Sequence, residues 1–197
     1  MPALSVAIDQ QLLATVSMDG YDVINVRVGG TRIDGQLPSV DLFGGRYPAV
    51  GESCHLTWIS EYPIQAGQVI TVTFLETAST SHAGKTIEEL FPDKPAATEA
   101  DFKSEAEIFA ALRAAPVLRD KYSFRLESSA GTQFYGETAH DDHGFGYSVL
   151  WNSYCPERVR VSLRSYTLNT LEARLPGRSH VEETLNTGGW VSLELIA

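Results

Sequence analysis

Cysteine is scarce: Cys54 and Cys155 are the only two in 197 residues. A small secreted scaffold held by disulfides carries a denser set. The pair therefore reads as two reduced, buried thiols, with a Cys54–Cys155 bridge as the alternative. Long apolar runs are lacking too. No stretch approaches the roughly 18 apolar residues of a membrane-spanning helix. Residues 1–8 have no basic region, and Asp9 interrupts their short apolar run, so they do not read as a signal peptide. Asn-x-Ser/Thr does not occur. These absences predict a cytoplasmic protein that contacts no membrane.

Positive charge is the next shortage. Lys and Arg number 15 against 25 Asp and Glu, for a net charge of −10. The imbalance is uneven: residues 1–109 hold 15 acidic and 6 basic residues, residues 110–197 hold 10 and 9. An acidic field repels nucleic acid and draws in basic partners. Familiar catalytic signatures are missing as well, with no Gly-x-Ser-x-Gly, His-Glu-x-x-His or Gly-x-Gly-x-x-Gly. No cofactor is expected, and the balance leans away from an enzyme.

What is present is short alternation. Ile24, Val26 and Val28 alternate with Asn25 and Arg27, the period of a half-buried strand. Gly29-Gly30 then gives a two-residue hairpin signal before Thr31-Arg32-Ile33. Val40 and Leu42 precede Gly44-Gly45, and Cys54, Leu56 and Trp58 alternate next. Residues 69–75 are rich in β-branched side chains. After Lys121 the period returns with Tyr122, Phe124 and Leu126, then residues 132–137. Phe145, Tyr147, Val149 and Trp151 follow, then Val159, Val161 and Leu163. Ser179-x-x-Glu182 predicts a short helix near 180–185, and Gly188-Gly189 leads into a last strand at 190–196.

A different grammar fills the middle. Thr86-Ile-Glu-Glu89 and Ser104-x-x-Glu107 have the form of capping boxes. Pro92 stops the first turn, residues 92–98 read as a linker, and Pro116 ends a helix predicted near 101–114. Phe102, Ala106, Phe109 and Leu112 share one face of that helix, which is expected to join the core. The chain thus reads as one mainly-β domain of residues 1–197, of a size usual for a single domain. Its fold is predicted to be an antiparallel β-sandwich of two meanders, residues 1–77 and 120–197. A helical insertion at 84–115 crosses between them and covers an open end or edge. The halves share features, such as Gly51 seven residues before Trp58 and Gly144 seven before Trp151. Internal duplication and shared strand–turn grammar explain this equally well.

Three candidate chemistries stand out. His140-Asp141-Asp142-His143 offers the ligand types of a metal site, and His140, Asp142 and His143 are its candidate ligands. Its place between strands and before Gly144 reads first as a polar hairpin turn. Ser79-Thr-Ser-His-Ala-Gly-Lys-Thr86 approaches a phosphate-binding loop, but Ser79 stands where the first glycine belongs, so Thr86 reads as a helix cap. Trp58, Trp151 and Trp190, with five tyrosines, could form a sugar-stacking face; the parity of Trp58 and Trp151 with Leu56 and Val149 places those two in the core instead.

The favoured expectation is a non-catalytic module that docks a basic protein, as an immunity-type protein docks a cationic toxin. Glu88, Glu89, Asp93, Asp101 and Glu105 are its expected contacts, because protruding segments between strands commonly carry function. A carbohydrate- or small-ligand-binding sandwich and a metal-dependent enzyme at His140–His143 are the alternatives.

Overall fold

Alternation becomes packing in the computed structural model, which describes residues 1–33, 35, 37–95 and 102–196. Among these residues twelve strands form. The first six are β1 (Ala3–Ile8), β2 (Gln11–Ser17), β3 (Val23–Thr31), β4 (Ser39–Arg46), β5 (Cys54–Pro63) and β6 (Val69–Leu75). The last six are β7 (Ser123–Ser128), β8 (Gln133–Glu137), β9 (Gly144–Asn152), β10 (Arg158–Tyr166), β11 (Arg178–Asn186) and β12 (Trp190–Ile196). They build two six-stranded sheets, ordered β2-β1-β6-β12-β7-β8 and β11-β10-β9-β3-β4-β5. Every pairing is antiparallel. Ile70, Val72 and Phe74 of one sheet and Ile24, Val26, Val28, Tyr147 and Val149 of the other turn inward into one apolar core. Burying a large side chain of this kind contributes about 1.5–3 kcal/mol. Trp58 and Trp151 lie in that core, as their parity predicts.

The chain is a mainly-β sandwich, but its halves do not form one sheet each. Residues 1–77 give β1, β2 and β6 to the first sheet and β3, β4 and β5 to the second. Residues 120–197 repeat the plan with β7, β8 and β12, then β9, β10 and β11. The halves meet where equivalent strands pair, β6 with β12 and β3 with β9. The topology is thus duplicated about an approximate two-fold. The sequence likeness of Trp58 and Trp151 falls on β5 and β9, which are not equivalent in this repeat, so that likeness is strand grammar.

Two local expectations are corrected. Gly29-Gly30 does not turn the chain; both glycines continue β3. A Cβ on Gly30 would come within 3.0 Å of the Phe145 ring and the Tyr122 hydroxyl, so close approach of aromatics, not a turn, demands glycine there. Ser179-x-x-Glu182 does not cap a helix but lies in β11. Val181, Glu183 and Leu185 keep the period of a strand there, and pairing with β10 overrides the local capping pattern. Gly188, with φ of +82°, does occupy a turn, between β11 and β12.

Three short helices complete the described residues: α1 (Ile87–Leu90), α2 (Glu105–Ala114) and α3 (Leu168–Glu172). The helix expected from residue 101 begins at Glu105, with Ser104 and Glu107 closing the capping box. Its apolar face does not enter the core. Phe109 alone is buried on α2, outside the main cluster, while Phe102 is 72% exposed. The helix packs on α3.

Candidate functional site

The segment before α1 explains where that helix stands. β2 and β5 are edge strands on the same side of the two sheets. Residues 80–85 lace them together. Ser81 N–H donates to Thr15 O at 2.9 Å, and Thr15 N–H donates to Ser81 Oγ at 3.1 Å. Lys85 and Thr57 exchange two backbone hydrogen bonds of 2.9 Å. The stretch resembling a phosphate loop is therefore an edge strap, which satisfies strand groups that would otherwise be open. Thr86 caps α1, as its sequence predicts.

α1 then projects from β5. Glu89 Oε2 accepts from Thr86 N–H at 2.8 Å, so this carboxylate completes the cap. Glu88 is exposed, and hydrogen bonds from its own backbone and the Thr86 hydroxyl hold its carboxyl below the usual range. Asp93 is exposed just beyond the helix. Beside α1 runs a groove of about 440 Å³ lined by Glu52, His55, Ile87 and Glu88 among others. Ile87 is 60% exposed, and Phe91 and Tyr47 are also open to solvent. The groove thus sets exposed Ile87 between Glu52 and Glu88, with Arg46 also in its wall, while Lys94 lies over the Phe91 ring at 5.6 Å. Sequence reasoning missed Glu52, which reaches this groove from the β4–β5 loop and gave no local signal.

Glu105 does not share that groove. It stands at the start of α2 and pairs with Arg174 at 3.4 Å. Asp101 lies outside the described residues. Of the five expected contacts, the structure groups Glu88, Glu89 and Asp93 around α1.

Pairing of charges differs sharply between the halves. Among the described residues, Glu105 is the one carboxylate of residues 1–109 that enters an ion pair. Carboxylates of the second half are engaged repeatedly, as where Glu182 bridges Arg160 at 2.5 Å and Arg164 at 2.8 Å. Among the described residues of the first half, Asp9, Asp22, Asp41, Glu89 and Glu107 instead accept backbone N–H bonds, and Glu52, Glu88 and Asp93 are exposed without an ion pair.

A second concavity lies at the end of the sandwich where β3 and β10 finish and β9 begins. Its volume is about 370 Å³, and its walls include Arg32, Leu112, Asp142, His143, Leu168 and Asn169. Arg32 is only 8% exposed. Its Nε donates to Arg119 O at 2.8 Å, and its Nη1 donates to His140 O at 2.5 Å and Asp142 O at 3.1 Å. It thereby ties the 139–143 loop to the segment leaving α2. That loop is a crossover between sheets, not the hairpin turn its sequence suggests, because β8 and β9 belong to different sheets. Asp142 Oδ2 accepts from Ala139 N–H at 2.7 Å and shapes the loop. Burial, with Arg32 adding, holds the His143 imidazole below its usual range.

The loop does not gather its metal-ligand types. His140 is exposed while Asp142 and His143 are buried. Among the described residues no three of His, Cys, Asp and Glu converge as a metal-binding group. Nearby, His180 Nε2 and Ser165 Oγ are 2.9 Å apart. That pair has the elements of an activated nucleophile, but Ser165 is wholly buried, and the bond satisfies a core hydroxyl. Both cysteines are free thiols, each half-buried. Of the aromatic residues expected for a stacking face, Tyr147 joins the core with Trp58 and Trp151, while Tyr47, Tyr62, Tyr135, Tyr154 and Trp190 are exposed.

No family model, curated protein or solved structure matches the chain.

Proposed function

We propose that the protein is a non-catalytic binding module that docks a basic protein through the α1 face, in the manner of an immunity-type protein neutralising a cationic toxin. The observation that carries this reading is that Glu52, Glu88 and Asp93 are exposed around α1 with no ion pair among the described residues. Carboxylates already matched within a chain offer a partner little, because forming a new pair breaks an old one. Unmatched carboxylates around exposed apolar anchors supply steering and a contact together. Ile87 is the anchor, and Glu52, Glu88 and Asp93 are the carboxylates around it.

The test begins with tagged protein used to capture binders from its native lysate at low salt. Association of the purified binder is then timed at about 50 mM and about 300 mM salt, with wild type and with a Glu88→Lys/Asp93→Lys variant. Steered association slows about tenfold or more with salt, and charge reversal slows it at low salt. Binding indifferent to both, or no stoichiometric binder at all, overturns the reading.

A further inference from the structure

Arg32 is a nearly buried cation whose hydrogen-bond partners are backbone carbonyls. Burying a cation is costly unless opposite charge compensates it. Among the described residues, no carboxylate comes within ion-pair distance of this guanidinium, and its Nη2 carries no hydrogen bond. Backbone carbonyls hold the remainder of the group, fixing it at the wall of the 370 Å³ cavity. That volume falls within the range of small-molecule sites.

The rest of the lining defines what fits. Leu112, Val117 and Leu168 give apolar surface, and Thr167 and Asn169 give neutral hydrogen-bonding groups. The other charged or titratable groups facing the space are Arg113, Asp141, Asp142 and His143. Arg113 is paired with Glu172, and Asp141 lies 3.8 Å from Arg178. Asp142 is turned to the Ala139 N–H by a 2.7 Å bond. Arg32 is left as the one cation of the lining with no carboxylate pair among the described residues.

We propose that this cavity binds a small carboxylic acid, its carboxylate on Arg32 and its apolar body against Leu112, Val117 and Leu168. With Nε and Nη1 held by carbonyls, the Nη2 N–H groups of Arg32 are the donors left for a carboxylate, and a charge-assisted bond of this kind is stronger than a neutral one. The site is separate from the α1 face and does not depend on docking there.

Hexanoate, its neutral isostere hexanamide, and inorganic phosphate are the probes, titrated into the intact protein by calorimetry at pH 7. A parallel titration follows the His143 ring by proton NMR. Hexanoate is expected to bind at least about tenfold more tightly than hexanamide, a difference of about 1.4 kcal/mol. It should also raise the pH at which His143 titrates, since an anion beside the ring favours its charged form. Leu112→Trp, which fills the cavity and leaves the carbonyl bonds of Arg32 in place, should abolish binding. Equal binding of hexanoate and hexanamide, phosphate binding as tight as hexanoate, or hexanoate binding undiminished in Leu112→Trp would each overturn the proposal. So would the absence of any hexanoate binding. Arg32→Gln is the second variant: folded but unable to bind hexanoate supports the assignment, and folded with full binding refutes it.

Discussion

Glu183 on β11 accepts a hydrogen bond from Thr132 Oγ1 at 2.7 Å, joining one sheet to the β7–β8 turn of the other. Ser128 Oγ donates to the same oxygen at 3.0 Å. Glu183 occupies an inward position between Val181 and Leu185, where an apolar side chain would be ordinary. Glu183→Ala leaves both hydroxyls without this acceptor, and the expected loss is about 1–3 kcal/mol. Glu183→Gln retains a carbonyl acceptor and should lose less. Urea unfolding midpoints check both, and an Ala variant as stable as wild type would show that the bridge contributes nothing.

Tyr147 presents the opposite case. Its hydroxyl is fully buried with no hydrogen-bond partner among the described residues. Burial pushes the phenol well above its ordinary range, and the negative charge of Glu183 adds to the rise. A buried donor without an acceptor destabilises the fold, whereas its removal leaves the ring packing intact. Tyr147→Phe should therefore raise stability by about 1 kcal/mol. Guanidinium unfolding measures this, and a lowered midpoint would reveal an acceptor, such as an internal water, on the hydroxyl.

Gly30 tests the corrected reading of the glycine pair. If it were a turn residue, alanine would be tolerated or not according to φ. In the strand, an added methyl meets the Phe145 ring and the Tyr122 hydroxyl at 3.0 Å. Gly30→Ala is expected to lower stability by about 1–3 kcal/mol through overpacking. Phe145→Leu in the same chain makes room and should restore part of the loss; additive losses would show that the two sites do not touch.

The same residues show what was legible in the sequence. Period-two alternation gives β6, β9 and β10 and their inward sets, because burial on one face leaves a direct mark on composition. Carried two steps beyond Val28, the parity of β3 also turns Arg32 inward, and Val181 to Leu185 turns Glu183 inward. Both signals stand in the chain but are masked by local patterns: a glycine pair in one case and a capping box in the other. Glu52 left no such mark. It reaches the α1 groove through the pairing of β4 with β5 and the strap across β2, and nothing near it in sequence encodes that meeting. The division of each half between two sheets is likewise set by long-range pairing, which alternation does not reveal.

The weak tie between α2 and the core gives a prediction about local stability. Ser104 Oγ accepts from Glu107 N–H at 3.3 Å, and Glu107 Oε2 accepts from Ser104 N–H at 2.8 Å. Ser104→Ala removes half of this box. Because Phe109 is the one buried residue on α2, the helix can open without the sandwich opening. Amide exchange across residues 105–114 should quicken severalfold in Ser104→Ala while the global unfolding midpoint stays in place. A matching fall in the midpoint would mean that α2 unfolds together with the sheets.

Two histidines set the acid limb of stability. Burial holds His143 and His180 below the ordinary imidazole range; Arg32 adds at His143, while at His180 Asp142 opposes the shift and Arg178 reinforces it. In the unfolded chain both take a proton near pH 6.5. Above that value neither state is charged at these rings, and their contribution to stability is fully present. As pH falls below it the unfolded chain binds protons that the folded one resists, so stability declines through the folded titration range. Glu88, Glu107 and Glu182 are held below the usual carboxylate range by hydrogen bonds, so their contributions are lost at a lower pH, beneath about 4.5. The two windows are separable. Urea midpoints should be level from about pH 8 to about 7 and then fall toward about pH 5. A His143→Gln/His180→Gln variant, whatever its absolute stability, should flatten that slope and keep the steeper loss at lower pH. An unchanged slope between about pH 6.5 and about 5 would assign the decline to other groups and remove both histidines from the account.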